Sequence, residues 1–175
     1  MPPLFAPIST PLAPAASLAP SGGQAQAEAL GRSQGGFSTK LHLRAEGGGK
    51  PMTVVLTGGE RHEQIALEGV PDQGAVRRRG RGRPRLRPRK AAGDKAYSSP
   101  PARRRLRQRG IRPIIPTRSN ERRQPDFDRD AYRQRNRIER LINRLKQARR
   151  VATRDEKRAA NYLAMVHIGC ILLWL

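Results

Sequence analysis

Between Asp128 and Arg150 the apolar residues Ile138, Leu141, Ile142 and Leu145 recur at helical spacing among polar, mostly cationic neighbours. That period predicts one long amphipathic helix over 128–150, which has to bury its apolar seam against other elements. Tyr132, Arg135, Glu139 and Lys146, at offsets of three, seven and fourteen, fall inside one stripe about 60° wide on such a helix. The apolar set centres about 100° away around the same rod. A carboxylate flanked by two cations and a phenol would then stand along the edge of the seam. At the rim of a basic surface, a metal ion and a nucleic-acid phosphate could meet there. The blander reading of Glu139 is an ion pair with Arg135, one turn earlier on the same face.

Charge narrows the partner. The 175 residues hold 36 Lys+Arg against 14 Asp+Glu, a formal net charge of +22, far outside what solubility alone requires of a small domain. The excess is mostly arginine, whose planar fork suits phosphate better than lysine does. Pro101–Arg154 alone carries 19 basic and 5 acidic residues. A polyanion, nucleic acid first, is the expected partner.

The single cysteine, Cys170, lies in the apolar run Leu163–Leu175, so there is no disulfide framework and a buried thiol is expected. That run is too short to cross a bilayer, which takes about 20 residues, and it reads as a core element; no membrane association is expected. The opening MPPLFAPISTPLAPAASLAP has no basic stretch and repeated prolines, unlike a signal peptide. A cytoplasmic location is the default.

Along the chain, residues 1–30 are Ala/Pro-rich without a usable period and are expected to be a disordered tail. FSTKLHLRAE and PMTVVLT, joined by GGGK, read as a hairpin. Glu60–Gly69 is a short helix candidate. Arg77–Lys90, with nine basic residues among fourteen, reads as an exposed loop. Its GRGRPR stretch, with Arg81, Arg83 and Arg85, is a weak match to a minor-groove hook and a better candidate for phosphate contacts. Pro101–Arg109 is a basic helix candidate, GIRPIIPT a strand, and Asn161–Leu175 an apolar helix. Strands first and helices later, with one strand between, imply a mixed α/β domain.

Asp94 follows a short apolar rise, as strand-end acids do in many α/β sites. Together with Glu139 it could hold Mg2+, which favours carboxylates plus substrate phosphates. His42, His62 and His167 show no zinc spacing, and neither a phosphate-cradling glycine loop nor a nucleophile elbow is present.

Tyr132-x2-Arg135-x3-Glu139-x6-Lys146 resembles the Tyr-Arg-Glu-Lys signature of bacterial insertion-sequence transposases of the DDE type. RSQGGFSTKLHL, VVLTGGERHE, GRGRPRLRPRK, GDKAYSS, RNRIERLINRLKQARR and RAANYLAMVHIGCILLWL resemble the same family in the same order. The likeness runs from about Leu30 to Leu175. It implies a ribonuclease-H-like catalytic domain over residues 31–175, dependence on Mg2+, and cutting and joining of DNA at the element's terminal repeats. Asp94 would be the second catalytic acid and Glu139 the third, both metal ligands. Tyr132, Arg135 and Lys146 would contact the transposon end. A homodimer is allowed for.

The family's first acid is an aspartate on a first strand upstream of GGFSTK, and here the chain departs. No aspartate precedes Asp72, Glu28 has no strand-like context, and Glu46 sits in the hairpin turn. Ala148 and Asp155 stand where the family usually has aromatics. The expectation is therefore a partial domain truncated at its N-terminus, lacking its first strand and catalytically inactive. The alternatives are a non-catalytic basic DNA-binding protein, acting as a competitor of an intact transposase, and an RNA-binding protein. The last is disfavoured by the scarcity of aromatics for base stacking.

Overall fold

Leu41, Leu43 and Ala45, alternate residues of the first predicted hairpin strand, all enter one buried core. The structure, a computed structural model, describes residues 4–11, 27–33, 36–61, 81, 83, 87–122 and 124–175. Strand β3 (Gly36–Ala45) and strand β4 (Pro51–Gly58) pair antiparallel, Leu41 opposite Leu56 and Leu43 opposite Val54. The turn between them closes with Gly49 at φ +94°, a conformation that glycine adopts without a Cβ penalty. A Cβ there would also come within 3.2 Å of Arg137 Cβ, so the turn abuts a helix. Arg137 Nη1 donates to Gly47 O at 2.7 Å, fixing that approach.

The six-stranded sheet also contains β1 (Leu4–Pro11), β2 (Gly31–Ser33), β5 (Lys90–Ala92) and β6 (Arg112–Ile114). Strand order is β2-β3-β1-β5-β6, with β4 on the far side of β3. β1 runs antiparallel to β3, Leu4 opposite Ala45 through Pro11 opposite Ser38, and parallel to β5, with Leu4 level with Ala92. Leu4–Pro11, expected to belong to a disordered tail over residues 1–30, is instead this strand. Part of that tail forms the strand joining the hairpin to β5. Its prolines, Pro7 and Pro11, are four apart and so remove donors from one edge of the strand only. The other edge keeps all its N–H groups.

The helices are α1 (Pro100–Gln108), α2 (Arg129–Arg133), α3 (Asn136–Lys146), α4 (Arg149–Ala152) and α5 (Ala159–Leu172). Leu41, Leu43, Ala45, Ala92 and Ile114 form one core with Ile138, Leu141 and Leu145 of α3 and Tyr162 and Val166 of α5. Ala91, Tyr97, Ile111 and Ile115 form a second with Leu106 of α1. Ala91 and Ala92 are neighbours on one strand and point to opposite faces, so α1 covers one side of the sheet and α3–α5 the other. Mixed α/β architecture is as expected. Helix α1 begins at Ser99, whose hydroxyl accepts from Ala102 N at 3.2 Å with Pro100 and Pro101 next, and ends before Gly110 at φ +71°.

The single helix expected over 128–150 is a correction: it is three pieces. Between α2 and α3, Gln134 and Arg135 keep right-handed helical dihedrals, but the bonds there are Arg135 N to Tyr132 O, Arg137 N to Gln134 O and Ile138 N to Arg135 O. These three-residue bonds tighten the turn without reversing the chain. Ala148 breaks the rod again in an extended conformation. The C-terminal apolar helix buries Tyr162, Val166 and Cys170 but leaves Ile168, Ile171, Leu172 and Trp174 exposed, so it is a core element on one side only. Burial raises the Cys170 thiol pKa to about 11, an inert thiol at neutral pH. No helix among the described residues is long and apolar enough to cross a membrane. Most of the expected helix at Glu60–Gly69 and most of the basic loop 77–90 lie outside the described residues; Lys90 itself begins β5.

Candidate nucleic-acid interface

Strand β5 delivers Asp94 to the end of the sheet. Gly93 N still donates to Ile114 O, and at Asp94 the chain turns into a short 3-10 segment, Lys95–Tyr97. The half-buried Asp94 caps that turn, its Oδ1 accepting from Lys95 N at 2.5 Å. Tyr97, buried beneath, brings its hydroxyl to 3.4 Å from His42 Nδ1 on β3. The aspartate is thus carried on a turn anchored from below.

A second anchor comes from the loop after β6. Arg118 donates to Lys95 O and Ala96 O. Glu121 Oε2 accepts from Ser98 Oγ at 2.6 Å, Arg103 Nη2 at 2.9 Å and Arg118 N at 3.2 Å. Partial burial pushes the Glu121 pKa up, but the bonds from Ser98, Arg103 and Arg118 outweigh it and bring it to about 2. Sequence reasoning missed this group. Its signal is that Glu121 is the lone acid between Asp94 and Asp126 in an arginine-rich stretch.

On the opposite side of the sheet, Tyr132, Arg135 and Glu139 do come together. The Arg135 guanidinium lies 5.2 Å from the centre of the Tyr132 ring and its Nη2 is 2.7 Å from Glu139 Oε1. Tyr132 in turn packs at 5.4 Å against Phe127. The Arg135 side chain is 18% exposed and that of Glu139 46%, so the arginine is held while the carboxylate faces solvent. Lys146 is exposed in the last turn of α3, away from this trio. Arg81 and Arg83 are exposed, and Arg85 lies outside the described residues.

Asp94 and Glu139 flank one core: Ala92 and Ile138 belong to the same buried cluster, and α3 packs on β1, which pairs with β5. Among the described residues no hydrogen bond links the two acids, and no group of three or more His, Cys, Asp or Glu could hold a metal. One carboxylate caps its own turn and the other is ion-paired.

The chain matches the profile of the transposase DDE domain over residues 17–175. It is 33% identical, over 135 residues, to a putative transposase for insertion sequence element IS402 from Burkholderia cepacia, covering 77% of this chain and 62% of that protein. A putative transposase for insertion sequence element IS6501 from Brucella ovis is 39% identical over 62 residues, 35% of this chain and 45% of the relative. The chain thus spans under two thirds of the length of either relative.

Proposed function

The chain belongs to the transposase DDE domain family, and from that premise we propose that it binds the DNA ends of an insertion sequence without cutting them. The observation that carries the binding half is the clamped Arg135 at the start of α3, set against the Tyr132 ring and paired with the more exposed Glu139. A guanidinium held this way is oriented before ligand arrives, so less side-chain entropy is lost when it meets a phosphate. Tyr132, Arg135 and Lys146, with the basic stretch holding Arg81, Arg83 and Arg85, supply the DNA contacts in this reading. A ribonuclease-H-like arrangement is supported by the order β4-β3-β1-β5-β6, with β3 antiparallel and β5 parallel to β1.

In the same reading Asp94 and Glu139 are the second and third acids of the family site. The family implies Mg2+, which would polarise phosphate and activate the attacking oxygen. The strand in the first-acid position is β1, LFAPISTP, and it contains no carboxylate. The donor set is therefore incomplete, and the chain is left with binding. Such a protein would compete with an intact transposase for terminal repeats.

The test pairs two assays on one preparation. Binding to terminal-repeat duplex should weaken steeply with salt, and Glu139→Gln, which removes a negative charge beside Arg135, should leave it equal or tighter. Incubation with Mg2+ should give no nicking. Clear cleavage overturns the inactive reading; absence of any preference for the terminal repeats overturns end binding.

A further inference from the structure

The function proposed above leaves unused a strongly basic surface on the α1 side of the sheet. Helix α1, from Pro100 to Gln108, and Thr117, Arg122 and Gln124 enclose an open groove of about 360 Å³ whose cations are Arg103, Arg104, Arg107 and Arg122. Among the described residues no carboxylate lines it.

Arg103 makes its floor. The side chain is buried, and its Nη2 donates to Ser98 Oγ, Pro116 O and Glu121 Oε2. Glu121 offsets that one charge. Arg104, Arg107 and Arg122 are exposed, and none has an acidic partner among the described residues. Arg104 and Arg107 stand three apart, neighbours on one helix face; Arg122 comes from the opposite wall. The Arg103–Glu121 ion pair, 2.9 Å long and with both side chains largely buried, holds the two walls at fixed separation.

We infer that this groove is a second DNA-backbone site, on the opposite face of the sheet from Tyr132, Arg135 and Glu139. The inference rests on the reading of the protein as a DNA binder. Three guanidinium forks from two walls suit phosphate oxygens. Among the described residues the lining has no aromatic ring on which a base could stack. Recognition is therefore of the sugar–phosphate backbone, independent of sequence. The groove wall begins at Ser99 and Pro100, just past the Asp94 turn, so a duplex reaching the sheet end could continue along α1.

The experiment uses the full chain and a short random-sequence duplex, with affinity measured by fluorescence anisotropy over a range of salt. The triple variant Arg104→Ala, Arg107→Ala, Arg122→Ala should bind roughly tenfold to a hundredfold more weakly at low salt, and its salt slope should shrink by about 3. The control triple Arg149→Ala, Arg150→Ala, Arg158→Ala removes the same charge from exposed positions elsewhere and should change the slope much less. Thermal melts establish that each variant is folded. An unchanged slope in the groove variant, or an equal loss in the control, overturns the inference. The same titrations with terminal-repeat duplex separate the two readings. Loss of the groove effect with end preference intact sinks the second site alone, whereas the groove effect without end preference sinks only the end-binding reading. A chain that binds no duplex sinks both.

Discussion

Lys90 Nζ lies 2.9 Å from Asp128 Oδ2, joining the first residue of β5 to the cap of α2. The same carboxylate accepts from Ala131 N through Oδ1 at 2.8 Å. One side chain therefore starts the helix that bears Tyr132 and ties it to the strand that leads to Asp94. The two candidate acids share a mechanical link through residues outside the site.

Asp128→Asn keeps a capping oxygen but loses the charge that Lys90 pairs with, whereas Asp128→Ala loses both. The alanine variant should melt a few degrees below wild type and the asparagine variant by less. The Ala131 amide, followed by Lys90, holds the Asp128 pKa below its ordinary value. A depressed carboxylate stabilises above its unfolded pKa and loses that contribution as pH falls through the folded one. The asparagine variant should therefore converge on wild type in acid, while the alanine variant narrows its gap but keeps the loss of the capping oxygen. Melting curves at neutral and low pH read this directly.

Glu121 sets a second pH dependence. Its pKa is lowered from 4.5 to about 2, so its contribution is complete above 4.5 and disappears as pH falls toward 2. Denaturant unfolding of wild type should weaken through that window, and Glu121→Gln should be less stable at pH 7 with a flatter profile. A variant as stable as wild type at neutral pH would mean that the Ser98–Arg103–Arg118 contacts contribute nothing.

Much of this frame was legible because it depends on local pattern. The β3–β4 hairpin follows from strand-like runs around a glycine turn, and α1 covers the basic helix candidate at Pro101–Arg109. The Tyr132–Arg135–Glu139 contact survives the break in the predicted rod because Gln134 and Arg135 stay right-handed helical, so the residues keep roughly their angular order. β1 was illegible. Two prolines in eight residues argue against an interior strand, and what holds LFAPISTP is a ladder to residues 27 to 41 positions away. Arg154 was equally hidden, since nothing in VATRDEK sets one arginine apart from its neighbours.

Arg154 is fully buried. It donates to Glu28 O, Thr39 Oγ1, Glu156 O and Lys157 O, and its guanidinium lies 5.5 Å from the Tyr162 ring centre. Burial lowers its pKa, offset in part by Glu28. This one cation ties residue 28, β3 and the start of α5 together. Arg154→Met fills much of the volume but leaves several acceptors without donors, each worth about 1–3 kcal/mol when buried. A loss of roughly 3 kcal/mol or more in unfolding free energy is expected, against less than about 0.5 for exposed Arg150→Met. Equal, small losses would show that the acceptors find water instead.

The proposed inactivity makes a gain-of-function prediction. β1 runs parallel to β5 with Leu4 level with Ala92, so Ala6 falls level with Asp94 two residues on. An aspartate introduced at Ala6 or Ile8 adds a third carboxylate to the strand between Asp94 and the helix bearing Glu139, the number a two-metal phosphoryl-transfer site requires in this family. At least one of Ala6→Asp and Ile8→Asp should show Mg2+-dependent nicking of terminal-repeat duplex where the parent chain shows none. Adding Glu139→Gln to that variant should abolish the new activity while leaving binding in place. Folded variants that remain inactive at both positions would mean that the missing acid is not what silences the chain.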